Sequence, residues 1–385
     1  MDKKNKNPNV PNLRFPNFCT PWKIIPISNL LQFQNGINGS PEQYGKGVKF
    51  ISVGDILNNI YITYDNIKGL IDIDEKTLNN YSVTYGDILF QRSSEIINDI
   101  GRTNVYLDKN NIATFGGFVI RGKKIGQYNP VFFNYLLKSP SSRKSIIRLG
   151  AGAQHYNIGQ ENIKTLNFCF PDEIEQAKIA CLFSKIDERI QIQIKIIKDL
   201  KMQRDHLIHS VFSSMNSKLL LITDIAEVYQ PQTISSEKFD EGAEFPVFGA
   251  NGIIGHYEKY NHENEQICIA CRGSSVGTIN ISKKKSWITG NSMVINSDNY
   301  DDMIDKKFLY YQLMFIDFYK YISGSGQPQI TRESLKNLKI KVPSLATQHS
   351  ISNFLNHIDL KITIEAELLC QYQLQKSYLL KNMFI

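Results

Sequence analysis

The sequence predicts an α+β protein in which two mixed α/β domains alternate with two long helices. The main observation is an internal repeat, because the second half of the 385-residue chain repeats the first at a fixed offset of 172 residues. A period of this length indicates a duplicated domain with pseudo-twofold character rather than a solenoid unit. Two further observations agree with it: short apolar runs fill the first part of each copy, and heptad spacing fills the last part.

The repeat is strongest towards the end of each copy, where the alignment needs no gap from Gly152 and Gly324 to the C-terminus. Its identical pairs include Pro171 and Pro343, Gln176 and Gln348, Ile186-Asp187 and Ile358-Asp359, Leu207 and Leu379, and Phe212 and Phe384. A duplicated binding domain suits a ligand with two separated halves.

We divide the chain into five segments. Residues 1–21 are expected to form an irregular leader, because prolines interrupt this part of the chain. The segments that follow are a first mixed domain (22–171), a first helix (172–214), a second mixed domain (215–343) and a second helix (344–385).

The first mixed domain is expected to contain many short strands, such as Asp87–Phe90, and one helix. Pro130 is suited to the first turn of that helix, which we expect to span residues 130–148. Phe133, Leu136 and Leu137 would then lie on one face.

A heptad seam runs along both helical segments. Apolar residues recur at alternating steps of four and three, which is typical of a helix that packs along a partner helix. Both copies interrupt the seam with polar residues at the same two positions, Gln193 and Glu365, and Arg204 and Lys376. The expected seam residues are Ile179, Phe183, Ile186, Ile190, Ile197, Leu200, Leu207, Ile351, Leu355, Ile358, Ile362, Leu369 and Leu379.

The net charge of +7 hints at an acidic partner, and the first part of the chain carries it. Residues 1–171 hold 20 Lys and Arg against 12 Asp and Glu, whereas residues 215–343 hold 14 against 15. Charge alone therefore favours nucleic-acid binding by the first mixed domain. The sequence has no apolar run of the roughly 18–20 residues that span a bilayer, and we recognise no signal peptide in it. We therefore expect a cytoplasmic protein.

The six cysteines are scattered, which in an intracellular chain argues for free thiols. Cys268 and Cys271 form a C-x-x-C motif with His256 and His262 upstream, so a zinc site is one interpretation. We prefer a strand at Ile267–Ile269 in which the cysteine is a small buried residue, and we expect no metal.

The motifs of common catalytic sites are absent from the sequence. The segment Gly39–Gly47 has the wrong spacing for a phosphate-binding Walker loop. Asn129–Phe132 lacks the second proline expected of an adenine methyltransferase motif and reads better as a helix start. We therefore predict no catalytic residue and no bound cofactor in this chain.

Two loops carry side chains suited to reading a nucleic acid. Arg, Asn, Gln and Ser side chains can hydrogen-bond to base edges, and Arg and Lys also contact phosphates. The sequence places Arg92 and Arg272 at comparable points after probable strands, although a solvated turn explains both equally well. The candidate DNA-binding residues are Gln91, Arg92, Ser93, Arg272, Ser274, Lys283, Lys284 and Lys285.

Gly150–His155 and Gly324–Gln329 form a third matched pair. Small residues would let the backbone approach DNA closely, but they suit a tight turn equally well, and we favour the turn.

The order of parts, with these motifs, resembles the specificity subunit of type I restriction-modification systems. The resemblance covers nearly the whole chain. Its motifs are Pro11–Phe18 followed by Trp22, Phe245–Gly255, Cys271–Thr278, and the matched helical positions that begin at Pro171 and Pro343.

The resemblance implies that each mixed domain is a target recognition domain that reads one half of a bipartite DNA sequence. The two helices would pair as an antiparallel coiled coil, fix the unread spacer and bind two methyltransferase subunits. Those subunits would supply S-adenosylmethionine, and restriction subunits could complete the complex. The main alternative is a non-catalytic coiled-coil scaffold that has two ligand-binding domains and no DNA specificity.

Overall fold

The computed structural model describes residues 9–273, 275–322 and 328–385. The chain forms two compact units. Unit 1 contains the chain up to Ile194 together with Leu368–Ile385, and unit 2 contains Lys195–Glu367. Each unit therefore includes part of both long helices, which the sequence had suggested as separate segments.

Most strands are short, as the clusters of Gly, Asn and Asp between apolar runs predict. They are β1 (Lys23–Pro26), β2 (Leu31–Asn35), β3 (Tyr44–Ile51), β4 (Gly69–Ile71), β5 (Ile88–Gln91), β6 (Ser93–Ser94), β7 (Thr103–Val105), β8 (Thr114–Phe115), β9 (Val119–Lys124), β10 (Tyr156–Asn157), β11 (Asn167–Phe170), β12 (Lys218–Leu221), β13 (Glu227–Tyr229), β14 (Phe245–Gly249), β15 (Gly252–Tyr257), β16 (Ile267–Ala270), β17 (Ile279–Ile281), β18 (Trp287–Ile288), β19 (Ser292–Asn296) and β20 (Lys339–Val342).

Two helices are far longer than the others. The helices are α1 (Val53–Asn58), α2 (Glu75–Asn80), α3 (Pro130–Lys138), α4 (Pro140–Ile147), α5 (Gln160–Lys164), α6 (Glu173–Ser214), α7 (Lys306–Phe315), α8 (Arg332–Leu335) and α9 (Leu345–Asn382). Short 3-10 helices occupy Ile27–Asn29, Pro41–Gln43, Ile97–Asp99, Ile222–Asp224, Ser236–Lys238 and Phe318–Tyr321. Within the described ranges, no helix is both long and apolar enough to cross a membrane.

The two units repeat the same sheet topology. Unit 1 has an antiparallel sheet in the order β2-β9-β5-β7, and unit 2 has the matching order β13-β19-β16-β17. Each unit also has a three-stranded sheet, which is β4-β3-β8 in unit 1 and β15-β14-β18 in unit 2. The middle strand pairs antiparallel with the first of these strands and parallel with the last. Each unit also has a two-stranded antiparallel ladder, β1-β11 in unit 1 and β12-β20 in unit 2, and unit 1 has a further short ladder, β6-β10. The predicted α+β fold with duplicated mixed domains is confirmed.

The single helix predicted for residues 130–148 is wrong, because the structure divides it into α3 and α4. Ser139 between them has an extended backbone (φ −64°, ψ 151°), and Pro140 begins the next helix. The ring of a proline disfavours the helical conformation of the residue before it. Asn129 and Ser139 each cap the helix that follows with their own side chain.

An aromatic cluster in unit 1 joins the domain core to both long helices. Phe384, near the C-terminus, lies 5.6 Å from both Phe132 and Phe183 and 6.4 Å from Trp22, measured between ring centroids. Edge-to-face and tilted pairs of buried rings stabilise a core beyond their buried area. Unit 2 uses Phe212 of α6 in the same way, because its ring lies 5.5 Å from that of Phe308 on α7.

The seam residues follow the predicted pattern of burial. All thirteen expected seam residues are buried or half-buried. In unit 1, Lys376 of α9 contacts Asp187 of α6, and Phe384 contacts Phe183, so the chain directions of the two helix segments oppose each other. The coiled-coil pairing is thus antiparallel within this unit.

A glutamine clamp recurs where each long helix begins. Gln176 Oε1 accepts a hydrogen bond from the Asn129 backbone N–H (2.9 Å), and Gln348 Oε1 accepts one from the Asp305 N–H (2.8 Å). Both side-chain amides also donate to the carbonyl five residues earlier. Because Asn129 and Asp305 are the N-caps of α3 and α7, each clamp joins a long helix to the domain helix that packs on it.

Candidate nucleic-acid interface

The polar interruptions of the seam anchor each long helix to its domain. In unit 1, buried Asp187 accepts a hydrogen bond from the Tyr135 hydroxyl (2.6 Å) and an ion-paired bond from Lys376 (2.5 Å). Burial, the neighbouring Tyr61 and Asp187 raise the pKa of Tyr135 above its ordinary range, so its hydroxyl stays protonated and donates. Tyr61 extends the network to Tyr135 at 2.5 Å.

Unit 2 builds the same anchor with a different cation. Asp359 of α9 accepts from the Tyr311 hydroxyl (2.8 Å) and from Arg204 of α6 (2.9 Å). Burial and the hydrogen bond to Asp359 raise the pKa of Tyr311. The matched interruptions predicted from sequence, Arg204 and Lys376, therefore pair with the repeated aspartates.

The first candidate loop lies at the end of the β5 strand. Gln91 is buried, and its amide donates to the Ser93 carbonyl (2.9 Å). The half-buried Arg92 donates to the Gly117 carbonyl (3.3 Å). Ser93 Oγ donates to Asn157 Oδ1 (2.5 Å), where β6 pairs with β10. Ser93 is thus placed at the surface beside a second polar side chain, whereas Gln91 is held inside.

The second candidate loop follows the β16 strand. Arg272 is exposed, and its backbone forms an antiparallel bridge with Gln329. Ser274 lies outside the described residues, as does most of the glycine-rich segment Gly324–Gln329. In the matching segment of unit 1, Gly152 has φ +137°, and a side chain there would meet the His155 carbonyl oxygen. The tight turn therefore requires glycine at this position.

The prediction that Arg92 and Arg272 occupy comparable places is wrong by one residue. The Arg92 carbonyl accepts from the Ile158 N–H, and the equivalent bond in unit 2 runs from Ile330 to the Cys271 carbonyl, both at 3.0 Å. Arg92 therefore corresponds to Cys271, and Ser93 corresponds to Arg272. The error has a physical cause: the sequence shows two arginines after a strand, but it does not show the hydrogen-bond register that fixes their positions.

The three lysines form an exposed turn between the β17 and β18 strands. Lys283, Lys284 and Lys285 all have exposed side chains. Lys285 has a left-handed backbone (φ 51°), and its ammonium lies 6.0 Å from the centre of the Tyr260 ring. The turn offers positive charge to a phosphate and equally to solvent.

Of the two cysteines of the C-x-x-C motif, Cys268 lies in β16 and Cys271 directly follows it. Cys268 and Cys271 are buried, and burial raises the pKa of the Cys268 thiol to about 12. His262 instead hydrogen-bonds Tyr229 (2.8 Å) and Asn261 (2.6 Å). Across the described residues, the structure brings no group of three or more metal-ligating side chains together.

Three comparisons with known proteins agree with one another. Residues 217–371 match the family model of the type I restriction modification DNA specificity domain. A putative type I restriction enzyme MjaX specificity subunit from Methanocaldococcus jannaschii is 24% identical over 382 residues, covering 89% of this chain and 88% of its own. The type I restriction enzyme EcoprrI specificity subunit from Escherichia coli is 26% identical over 166 residues, which is 42% of this chain and 41% of its own.

The fold agrees with solved structures over almost its full length. The structure of a type I restriction-modification S subunit from M. genitalium has a TM-score of 0.63 at 20% identity, covering 98% of this chain and 99% of that one. A structure described as showing complex assembly and conformational transition of the type I R-M system has a TM-score of 0.59 at 14% identity, with coverage of 93% and 96%.

Over most of its length, the chain is similar in sequence and in fold to type I restriction-modification specificity subunits. The family domain matched at residues 217–371 covers most of unit 2. The resemblance inferred from the repeat and its motifs is thereby confirmed.

Sequence reasoning missed several polar residues that the structure brings beside the candidate loops. Asn35 and Gln230 lie at the ends of the first strands in the two four-stranded sheets, and Gln160 and Arg332 begin the short helices α5 and α8. The offset of 172 residues relates Gln160 to Arg332, so the repeat could have pointed to this pair. The link between strand ends depends on sheet order, which the sequence does not show.

Proposed function

We propose that the chain confers sequence specificity on a type I restriction-modification complex and that each unit reads one half of a bipartite DNA target. The repeated sheet topology is the observation that carries this proposal. Two domains with one frame and different surface side chains suit two different half-sites on one duplex. Joining the two readers in one chain raises the affinity through effective concentration.

Double-stranded DNA is the proposed ligand, and local charge supports it. The first mixed domain has the excess of Lys and Arg. In the second, the exposed Arg272 and the lysine turn at residues 283–285 supply positive charge where the net balance does not. Because phosphate contacts release counterions, DNA affinity should fall steeply as salt rises. We therefore propose that the chain acts in the cytoplasm, where it would meet this DNA.

The long helices are proposed to bind two methyltransferase subunits, which would carry S-adenosylmethionine and the catalytic residues. Both helices present exposed apolar side chains, which is typical of protein-binding surfaces. These side chains include Ile174, Ile192, Met202, Phe354, Ile364 and Leu374. Restriction subunits would join the same complex. This chain would contribute recognition and assembly but no catalytic group of its own.

The helices are also proposed to fix the spacer between the two half-sites. Both α6 and α9 continue without a break across the boundary between the units. Inserting about one heptad into each helix should lengthen the spacer and leave both half-sites unchanged. Altered half-sites, with an unchanged spacer, would contradict this role.

Modification-sensitive sequencing of the source genome, with and without this gene, tests the proposal. We expect a bipartite methyladenine motif in the parent strain that disappears on deletion and returns with the gene. An assembled complex that methylates the same sites without this chain would contradict the proposal. If the parent genome lacks the motif, the purified chain with its methyltransferase subunits should still show salt-sensitive, sequence-selective DNA binding. Binding that ignores sequence would favour the scaffold alternative.

A further inference from the structure

The carboxyl ends of matching strands meet at one edge of the four-stranded sheet in each unit. In unit 1, β2 and β5 both pair antiparallel with β9, so they run parallel to each other and end at the same edge. In unit 2, β13 and β16 flank β19 in the same way. Side chains that follow these strands are therefore brought together in both units, although they are far apart in sequence.

In unit 2 this edge forms an open cavity with basic and amide side chains. The cavity has a volume of about 370 Å³. Four of the residues that line it are polar and have long side chains: Gln230, Arg272, Gln329 and Arg332. Arg272 and Arg332 are exposed, and a backbone bridge holds Arg272 against Gln329. We call these four residues the unit 2 edge cluster.

The same backbone positions in unit 1 carry smaller, uncharged side chains. They are Asn35, Ser93, Asn157 and Gln160, the unit 1 edge cluster. Ser93 pairs with Asn157 as Arg272 pairs with Gln329.

Three backbone hydrogen bonds in unit 1 have equivalents in unit 2, and these three pairs align the two clusters. The Arg92 carbonyl, directly before Ser93, accepts from the Ile158 N–H. The Cys271 carbonyl, directly before Arg272, accepts from the Ile330 N–H. The backbone N–H groups of Arg92 and Cys271 donate to equivalent turn carbonyls at 2.9 and 3.0 Å. The Gln91 carbonyl accepts from the Gly101 N–H at 3.0 Å, and the Ala270 carbonyl accepts from the Gly277 N–H at 2.8 Å. The frame is thus shared, and only the side chains differ.

We propose that the two edge clusters are the base-reading positions of this chain and that Arg272 and Arg332 read guanine in the half-site of unit 2. The proposal rests on the DNA specificity proposed above. Arginine binds guanine O6 and N7 with two parallel hydrogen bonds, and Asn or Gln binds adenine N6 and N7. The arginines of unit 2 therefore favour guanine, whereas the amides of unit 1 favour adenine.

The helix anchors and the edge clusters differ in which residues the two units share. The anchor positions keep the same residue type in both units, as Asp187 and Asp359 do, because both must hold a helix against a domain. The edge positions keep the backbone but change from Ser93 to Arg272 and from Gln160 to Arg332. Two unlike half-sites require different side chains on the same backbone framework, and the edge positions provide them.

Selection from a random duplex library tests this inference with the full-length chain assembled with its methyltransferase subunits. The variants are Arg272→Ser and Arg332→Gln, which introduce the residues of unit 1 at the matching positions. We expect each to reduce the preference for guanine at one position of one half-site by about 5- to 150-fold, because a bidentate pair discriminates by about that much. The other half-site should keep its full preference.

Lys283→Gln is the matched control, because it removes one positive charge from the same unit outside the edge cluster. It should lower the affinity for all sequences alike and reduce the salt dependence by about one phosphate contact. Arg332→Lys keeps the charge but removes the planar guanidinium, so it should keep only part of the guanine preference while it keeps the phosphate-driven affinity. Thermal melting of each variant within about 2 °C of the parent establishes that folding is intact.

The possible outcomes separate this inference from the function on which it rests. Arginine variants that behave like Lys283→Gln, or that keep every base preference, would overturn the assignment of the edge clusters while the parent still selects a bipartite target. A parent complex that selects no sequence would overturn the proposed function and the inference with it.

Discussion

Unit 1 and unit 2 build the same helix anchor from groups that differ in burial. In unit 1, the Asp187 side chain is 6% exposed and meets Lys376 and a tyrosine pair. In unit 2, the Asp359 side chain is 26% exposed and meets Arg204 and one tyrosine. The same arrangement should therefore contribute more to the stability of unit 1, since a partly solvated ion pair is screened by water.

Each unit contains one tryptophan, so the two units can be followed separately. Trp22 is buried in the aromatic cluster of unit 1, and Trp287 lies in unit 2. Fluorescence of a Trp287→Phe protein reports unit 1, and that of a Trp22→Phe protein reports unit 2.

The largest effects are expected from the phenylalanines that end the two repeats. Phe384→Ala should destabilise unit 1, and Phe212→Ala should destabilise unit 2, each by about 3–5 kcal/mol, because a large buried ring leaves a cavity. Denaturant unfolding followed by each tryptophan measures this. A change confined to the wrong unit's signal would contradict the division of the chain.

The anchors should show the next largest effects and a clear order. Asp187→Asn should cost unit 1 about 3 kcal/mol, because it removes the buried carboxylate that accepts from both Tyr135 and Lys376. Asp359→Asn should cost unit 2 about 1–2 kcal/mol, because Arg204 keeps Asp205 as a second partner at 2.8 Å.

Denaturant unfolding of both variants beside the parent gives the two differences. Equal costs, or a larger cost at Asp359, would show that burial does not set the strength of these anchors. Glu188→Gln is a control on the same helix, because Glu188 is exposed, and it should be nearly neutral.

Smaller and similar effects are expected at the helix caps of the two units. Asn129 accepts from the N–H groups of Val131 and Phe132, and Asp305 accepts from that of Phe308. Replacing either cap with alanine should cost about 1 kcal/mol. Asn129→Asp and Asp305→Asn should retain most of the stability, because both residue types cap helices well. Thermal melting of the four variants checks this, and loss in the conservative pair would show another role.

The smallest effect concerns pH and should be confined to unit 2. Burial lowers the pKa of His262 below its ordinary value of 6.5, although Asp298 opposes the shift. The unfolded chain therefore binds a proton at a higher pH than the folded unit does. The contribution of neutral His262 is fully present above about pH 6.5 and is lost as the pH falls through the lower, folded pKa.

The melting temperature reported by Trp287 should fall between pH 7 and pH 5.5 through this group. His262→Gln removes the titrating ring, so the variant should lose that part of the pH dependence. An unchanged pH profile in the variant would assign the effect to other groups.

The sequence predicted the long helices and their anchors better than it predicted the surface of the two domains. The repeat and the heptad spacing depend on local periodicity, and the paired interruptions at Arg204 and Lys376 signalled the anchors before the aspartates were known to be their partners. The break at Ser139 was predictable from Pro140 but was obscured by the apolar spacing on both sides.

The reading surface could not be predicted in the same way. Ser93 and Asn157, or Arg272 and Gln329, meet only because strands and turns from distant parts of the chain share one sheet edge. One residue of register separates Arg92 from the true counterpart of Arg272, and a shift of one residue reverses the direction of a strand side chain. Sequence periodicity carries no information about that register.

The most direct test of the account exchanges one reader and keeps the frame. Residues 22–171 are replaced by the matching segment of another specificity subunit with a known target, and the methylated motif is determined by modification-sensitive sequencing. The account predicts that one half-site changes to that of the donor, while the other half-site and the spacer stay the same. A motif that is unchanged, or that changes in both halves, would contradict the claim that each unit reads its own half.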